Sequence, residues 1–209
     1  MVLKIQLALD RLTRERSLQL IEATADSIDI IEVGTGVIKE YGMGIVKEIK
    51  NKYAHLSVLA DMKTCDAGKA ESIQAFEAGA DITTVMAFAD DQTIASTLEV
   101  AQDYGKRVMV DLLNVTSKQR VEELVNLGCN LFCIHFGKDM QEQGDANFEE
   151  LFQLIEGFTD IDVAIAGGIN VELAKELKDA PIDILIVGSA ITAHDQPKVI
   201  SEQIKEQIM

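Results

Sequence analysis

Residues 81–113 read DITTVMAFADDQTIASTLEVAQDYGKRVMVDLL, and the pattern in this stretch decides the fold. Asp81–Phe88 is a short run of apolar and β-branched residues, as expected of a strand buried on both faces. Thr93–Tyr104 then places apolar residues at helical spacing, and Gly105 stands where a helix should stop, at the position after the C-cap that favours glycine. A second apolar run, Arg107–Leu113, follows at once. Strand, helix and strand in so short a span make a βαβ unit, whose strands are parallel.

The same alternation continues in both directions. Further strands are expected at Ile5–Asp10, Ile28–Gly34, Ser57–Lys63, Leu131–Phe136, Val163–Ile169 and Ile184–Gly188. Helical patterns cover Lys69–Ala78, Lys118–Leu127 and Phe148–Phe158, with Gly79 and Gly128 repeating the stop signal. Eight strands, each followed by a helix, imply an α/β fold of the (β/α)8 or TIM-barrel kind, one compact domain over residues 1–209. Each unit has roughly 26 residues, in a fold whose usual size is roughly 250, so the loops must be short. A doubly wound open sheet would carry a glycine-rich fingerprint after its first strand, but Leu9-Asp10-Arg11-Leu12 stands there instead.

Composition narrows the function. Acidic residues outnumber basic ones 35 to 19, giving a formal net charge of -16. Such a surface lacks the positive potential that nucleic acids and anionic membranes require, so neither is an expected partner. An anionic substrate would need local positive charge within its site. The three cysteines, Cys65, Cys129 and Cys133, form neither a disulfide framework nor a zinc set. No apolar run is long enough to span a membrane, and no signal peptide stands at Met1, so a cytoplasmic, reduced setting is expected.

In this barrel chemistry sits where the strands end. Those ends carry Asp10, Glu32, Asp61 with Lys63, Asp111 and His135. Alternation puts Ile30 with Glu32, Leu59 with Asp61 and Lys63, Met109 with Asp111, and Cys133 with His135 on common faces. Each set has an apolar residue deep in the strand and an ionisable one at its mouth. A single acid there reads equally as a helix cap, and Asp10 alone is open to that reading. Ionisable groups at five strand ends point to a site, because buried charges are costly unless paired or metal-bound. His55 and His194 lie outside this pattern and read as structural. The last two strands end in Gly167-Gly168 and Gly188-Ser189, which suits the phosphate cradle this fold builds there.

The segment Ala60-Asp61-Met62-Lys63-Thr64-Cys65-Asp66 carries an Asp-x-Lys-x-x-Asp motif. With Ile134–Gln141, Ala166–Ile169 and Val187–Thr192, it makes the chain resemble the orotidine 5′-monophosphate decarboxylase superfamily, and within it the group of 3-hexulose-6-phosphate synthases. The resemblance covers essentially the whole chain. It implies an aldehyde-lyase of one-carbon and carbohydrate metabolism, in the ribulose monophosphate pathway of formaldehyde fixation. The implied reaction is a reversible aldol condensation of formaldehyde with D-ribulose 5-phosphate, giving D-arabino-3-hexulose 6-phosphate through an enediolate. It also implies Mg²⁺ or Mn²⁺, for which Glu32 and Asp61 are suitable carboxylate ligands. Lys63, His135, Asp61 and Asp66 would be the catalytic residues, with His135 the candidate base at C1 and Lys63 a positive charge beside the oxyanion. Asp10, Asp111, Gly167, Gly168, Gly188 and Ser189 would bind the sugar phosphate. Asp66 lies beyond its strand, and the resemblance implies a homodimer in which it enters the neighbour's site. The alternative is 3-keto-L-gulonate-6-phosphate decarboxylase on the same scaffold. Those enzymes typically show Glu, Arg and Arg where this chain has Asp111, Lys138 and Ser189, which favours the synthase.

Overall fold

The computed structural model describes residues 3–137 and 148–209. Lys138 lies outside these residues. Eight parallel strands close a barrel in simple order: β1 Lys4–Leu9, β2 Ile30–Val33, β3 Ser57–Thr64, β4 Ile82–Met86, β5 Arg107–Asp111, β6 Leu131–His135, β7 Asp162–Ala166 and β8 Ile184–Val187. Closure comes from β1 pairing β8, with Lys4 opposite Ile184 and Leu7 opposite Val187. The barrel predicted from the sequence is therefore the fold observed, with strand ends shifted by one to three residues.

Strand alternation divides the apolar residues into two sets. One face of each strand looks into the bore, where Ile30, Leu59, Ile82, Met109, Leu131, Ile184 and Ile186 pack together. The other packs beneath the helices, with Leu7, Ile31, Val58, Phe132, Ile134 and Leu185 fully buried. This explains why the strands read as continuous apolar runs rather than alternating ones.

The helices form the outer ring. They are α1 Arg14–Thr24, α2 Thr35–Tyr41, α3 Met43–Lys52, α4 Gly68–Glu77, α5 Asp91–Tyr104, α6 Lys118–Asn126, α7 Phe148–Phe152, α8 Val171–Glu176, α9 Ser189–Thr192 and α10 Pro197–Ile208. Thr13, Asp90 and Asn170 cap α1, α5 and α8 by accepting from Arg16, Gln92 and Leu173 N–H. Gly105 ends α5 with φ +62°, the left-handed turn its sequence position called for. One expected helix is shorter than its pattern. The 148–158 stretch stops being helical after Phe152, and Leu154 and Ile155 make tight i to i−3 bonds instead.

At the base of the barrel an aspartate recurs just before a strand. The carboxylates of Asp29, Asp81 and Asp183 accept the N–H of Ile5, Val58 and Val163 at 2.8, 3.0 and 2.8 Å. Each ties the start of an odd-numbered strand to the next even-numbered one. An unpaired buried N–H there would cost about 1–3 kcal/mol. Asp81 also receives Lys50 and Lys106. These bonds hold the lower rim, so the opposite rim can carry polar residues for other purposes.

Candidate active site

The mouth at the strands' C-terminal ends encloses a cavity of about 420 Å³. Its wall includes Asp10, Glu32, Asp61, Lys63, Asp111, His135, Gly167, Gly168, Gly188 and Ser189. A wider hollow of about 1250 Å³ lies elsewhere, among Leu3, Phe158, Ile161, Val163 and Asp183, and shares no lining residue with the mouth.

Strand β3 does most to shape the mouth. Its register with β4 shifts between Ala60 and Thr64, and Lys63 adopts φ +47°. A left-handed lysine is strained, and such strain persists where neighbours hold it. Here Thr84 does so: its hydroxyl oxygen accepts Lys63 N–H at 2.8 Å while its O–H donates to Asp61 Oδ1 at 2.8 Å. Lys63 Nζ then reaches Asp111 Oδ2 at 2.6 Å and Asp61 Oδ2 at 3.4 Å. Thr35 at the start of α2 donates to Asp61 Oδ2 at 2.7 Å. His135 Nδ1 lies 2.9 Å from Asp111 Oδ2, so one carboxylate joins the lysine and the histidine.

The electrostatics follow from these contacts. Burial works to lower the Lys63 pKa, but Asp61 and Asp111 outweigh it and hold the ammonium above its ordinary value. Burial would raise Asp111, yet the His135 hydrogen bond and charge and the Lys63 charge bring it down to about 2. Glu32 moves the other way. Burial, then the Asp61 charge, push it up to about 7, against the opposing hydrogen bond from Gln6.

Two carboxylates on neighbouring strands, one of them destabilised as an anion, fit a hard divalent cation. Glu32 and Asp61 are that pair. Asp111, Cys133 and His135 also have ligand atoms within 4.8 Å of one another. That group fits less well, because Lys63 already neutralises Asp111 and burial pushes the Cys133 thiol well above its ordinary pKa.

Asp10 sits at the rim, accepting Gly36 N–H at 2.9 Å and pairing with Arg11 at 3.2 Å. It thus serves the α2 entry as well as lining the cavity. Gly167 has φ +117°, and a Cβ there would lie 2.3 Å from Phe136 O, so only glycine fits between β6 and β7. Gly188 and Ser189 open α9 on the same wall. Asp66 is the one site residue not brought to this cavity. It is exposed beyond β3, with Oδ1 accepting Ala67 N–H at 2.7 Å. Sequence reasoning missed Gln6, Thr35, Thr84, Arg11 and Lys39, all on the cavity wall. Gln6 and Thr84 had a signal, since each is a polar residue on an inward face. The others lie beyond strand ends, where alternation gives no direction.

The chain is similar to proteins of known name over its whole length. It is 37% identical over 208 residues to the 3-hexulose-6-phosphate synthase of Bacillus subtilis, covering 99% of both chains. The crystal structure of 3-hexulose-6-phosphate synthase from Salmonella typhimurium superposes with a TM-score of 0.96 at 37% identity, over 99% of this chain and 98% of that one. The 3-keto-L-gulonate-6-phosphate decarboxylase of Vibrio cholerae is more distant, at 27% identity and a TM-score of 0.86 over 100% and 98%. The model of the orotidine 5′-phosphate decarboxylase / HUMPS family matches residues 3–204, and the chain is an enzyme belonging to that family.

Proposed function

We propose that this enzyme is a 3-hexulose-6-phosphate synthase, an aldehyde-lyase that joins formaldehyde to D-ribulose 5-phosphate. The observation that carries this reading is the Lys63–Asp111–His135 chain facing the Glu32–Asp61 pair. Asp111 is a stable anion, so it accepts a hydrogen bond from His135 Nδ1–H and leaves Nε2 as the basic nitrogen. Nε2 takes a proton from C1 of the sugar phosphate, and negative charge passes to the C2 oxygen. Lys63, kept charged by its two carboxylates, stands beside that charge. The C1 electron pair then bonds to the carbon of formaldehyde, whose oxygen takes up a proton. Mg²⁺ or Mn²⁺, when held by Glu32 and Asp61, supplies a Lewis acid to the substrate oxygens. The glycines of the β7 and β8 loops lie where backbone N–H groups can hold the 5-phosphate. Arg11 and Lys39 add the positive charge that a strongly acidic protein needs for an anionic substrate.

Two features support a homodimer with shared sites. Asp66 projects from the loop after β3 rather than into its own cavity, and Phe88, after β4, is 58% exposed. An apolar side chain at that rim suits a subunit interface. A cytoplasmic location agrees with this chemistry, and no helix among the described residues is long and apolar enough to cross a membrane.

The names of the relatives and the residues Asp111 and Ser189 both favour the synthase over the decarboxylase. A paired assay decides between them. With Mg²⁺, ribulose 5-phosphate should drive formaldehyde loss, while 3-keto-L-gulonate 6-phosphate should release little CO₂. The reverse preference would overturn the reading.

A further inference from the structure

Gln6 is a buried amide in an otherwise apolar layer of the bore. Its side chain has no exposed surface. Its register partners on the two neighbouring strands are Ile30 and Ile186, both apolar. Leucine or methionine would pack there without a desolvation cost, so the amide needs a reason. Its Nε2 donates to Glu32 Oε2 at 2.6 Å. Ala8 stands directly opposite Glu32, and its small side chain leaves room for Gln6 to reach up one layer to the carboxylate. Gln6 Oε1 is buried with no hydrogen-bond partner, one of two such atoms among the described residues. Turning the amide over would set oxygen against a carboxylate oxygen whenever Glu32 is ionised, which is the form that binds a cation. The donor is committed to Glu32, and the acceptor is left buried without a partner.

We propose that Gln6 is a positioning residue of the cation site: it grips one oxygen of Glu32 and fixes the carboxylate against rotation so that the other oxygen serves the cation. Outer groups of this kind orient metal ligands and are typically worth 10–100-fold in metal affinity. The inference rests on the reading of Glu32 and Asp61 as cation ligands, and its test separates the two.

The test measures Mn²⁺ affinity from the paramagnetic resonance signal of free Mn²⁺, for the whole protein and for Gln6→Met and Gln6→Leu. Melting temperatures in EDTA are recorded beside it. Both variants should stay folded, because removing a half-satisfied amide from an apolar layer offsets the donor that Glu32 loses, and both should bind Mn²⁺ about 10–100-fold more weakly. Wild-type affinity in the variants, within about twofold, would overturn the role of Gln6 while leaving the cation site intact. A lower melting temperature with unchanged affinity would make Gln6 purely structural, which also overturns it. If the wild type itself fails to bind Mn²⁺ yet still condenses formaldehyde with ribulose 5-phosphate, the cation site and the role of Gln6 fall together and the synthase reading stands.

Discussion

Three of the four carboxylates that line the cavity, Asp111, Asp61 and Glu32, meet three different surroundings, and their roles follow from that. Asp111 lies between an ammonium and an imidazole and stays ionised. Asp61 has a hydroxyl donor on each oxygen, from Thr84 and Thr35. Glu32 has one amide donor and a neighbouring anion, and burial leaves its pKa near 7. The last value has a measurable consequence. Between the ordinary value of 4.5 and about 7, folded Glu32 holds a proton that the unfolded chain has released. Cation-free protein should therefore lose stability as pH rises across that interval. Melting temperatures in EDTA at about pH 5.5 and about pH 8 should fall more steeply for the wild type than for Glu32→Gln. Equal slopes would mean that Glu32 is not destabilised as an anion, removing one reason to place a cation beside it.

At the scale of elements, the eight strands were legible because each is buried on both faces and bounded by turn or helix signals. The ionisable residues at their mouths were legible because alternation assigns them a face. Three things were not. The bulge that gives Lys63 its left-handed backbone depends on Thr84 from the next strand, which no local pattern reveals. The early end of α7 depends on tight turns formed by Leu154 and Ile155, in a stretch whose apolar spacing still looks helical. Gln6 stands inside an apolar run, and its partner is 26 residues away. For Lys63 and Gln6 the missing information is a contact between elements; for α7 it is a local choice of tight turns that apolar spacing does not distinguish from helix.

At the scale of the whole molecule, the single chain leaves Asp66 outside its own site while every other expected site residue lines one cavity. The proposed two-fold dimer would resolve this by giving each mouth an Asp66 from its neighbour. Lys63→Ala and Asp66→Ala should each be nearly inactive. A mixed dimer of the two concentrates both lesions in one site and leaves the other whole. Random co-refolding of equal amounts should thus restore roughly a quarter of all sites. No recovery, with mixed dimers confirmed by mass, would return Asp66 to its own subunit.

The central claim is that this cavity removes a C1 proton from ribulose 5-phosphate with His135 as base and a divalent cation present. It is tested most directly by proton exchange in deuterated solvent without formaldehyde, followed by nuclear magnetic resonance. The wild type with Mg²⁺ should exchange one C1 proton. EDTA should stop the exchange, and His135→Asn should slow it by ~10²–10⁴-fold. Exchange at the wild-type rate in EDTA-treated protein, or in His135→Asn, would contradict the account.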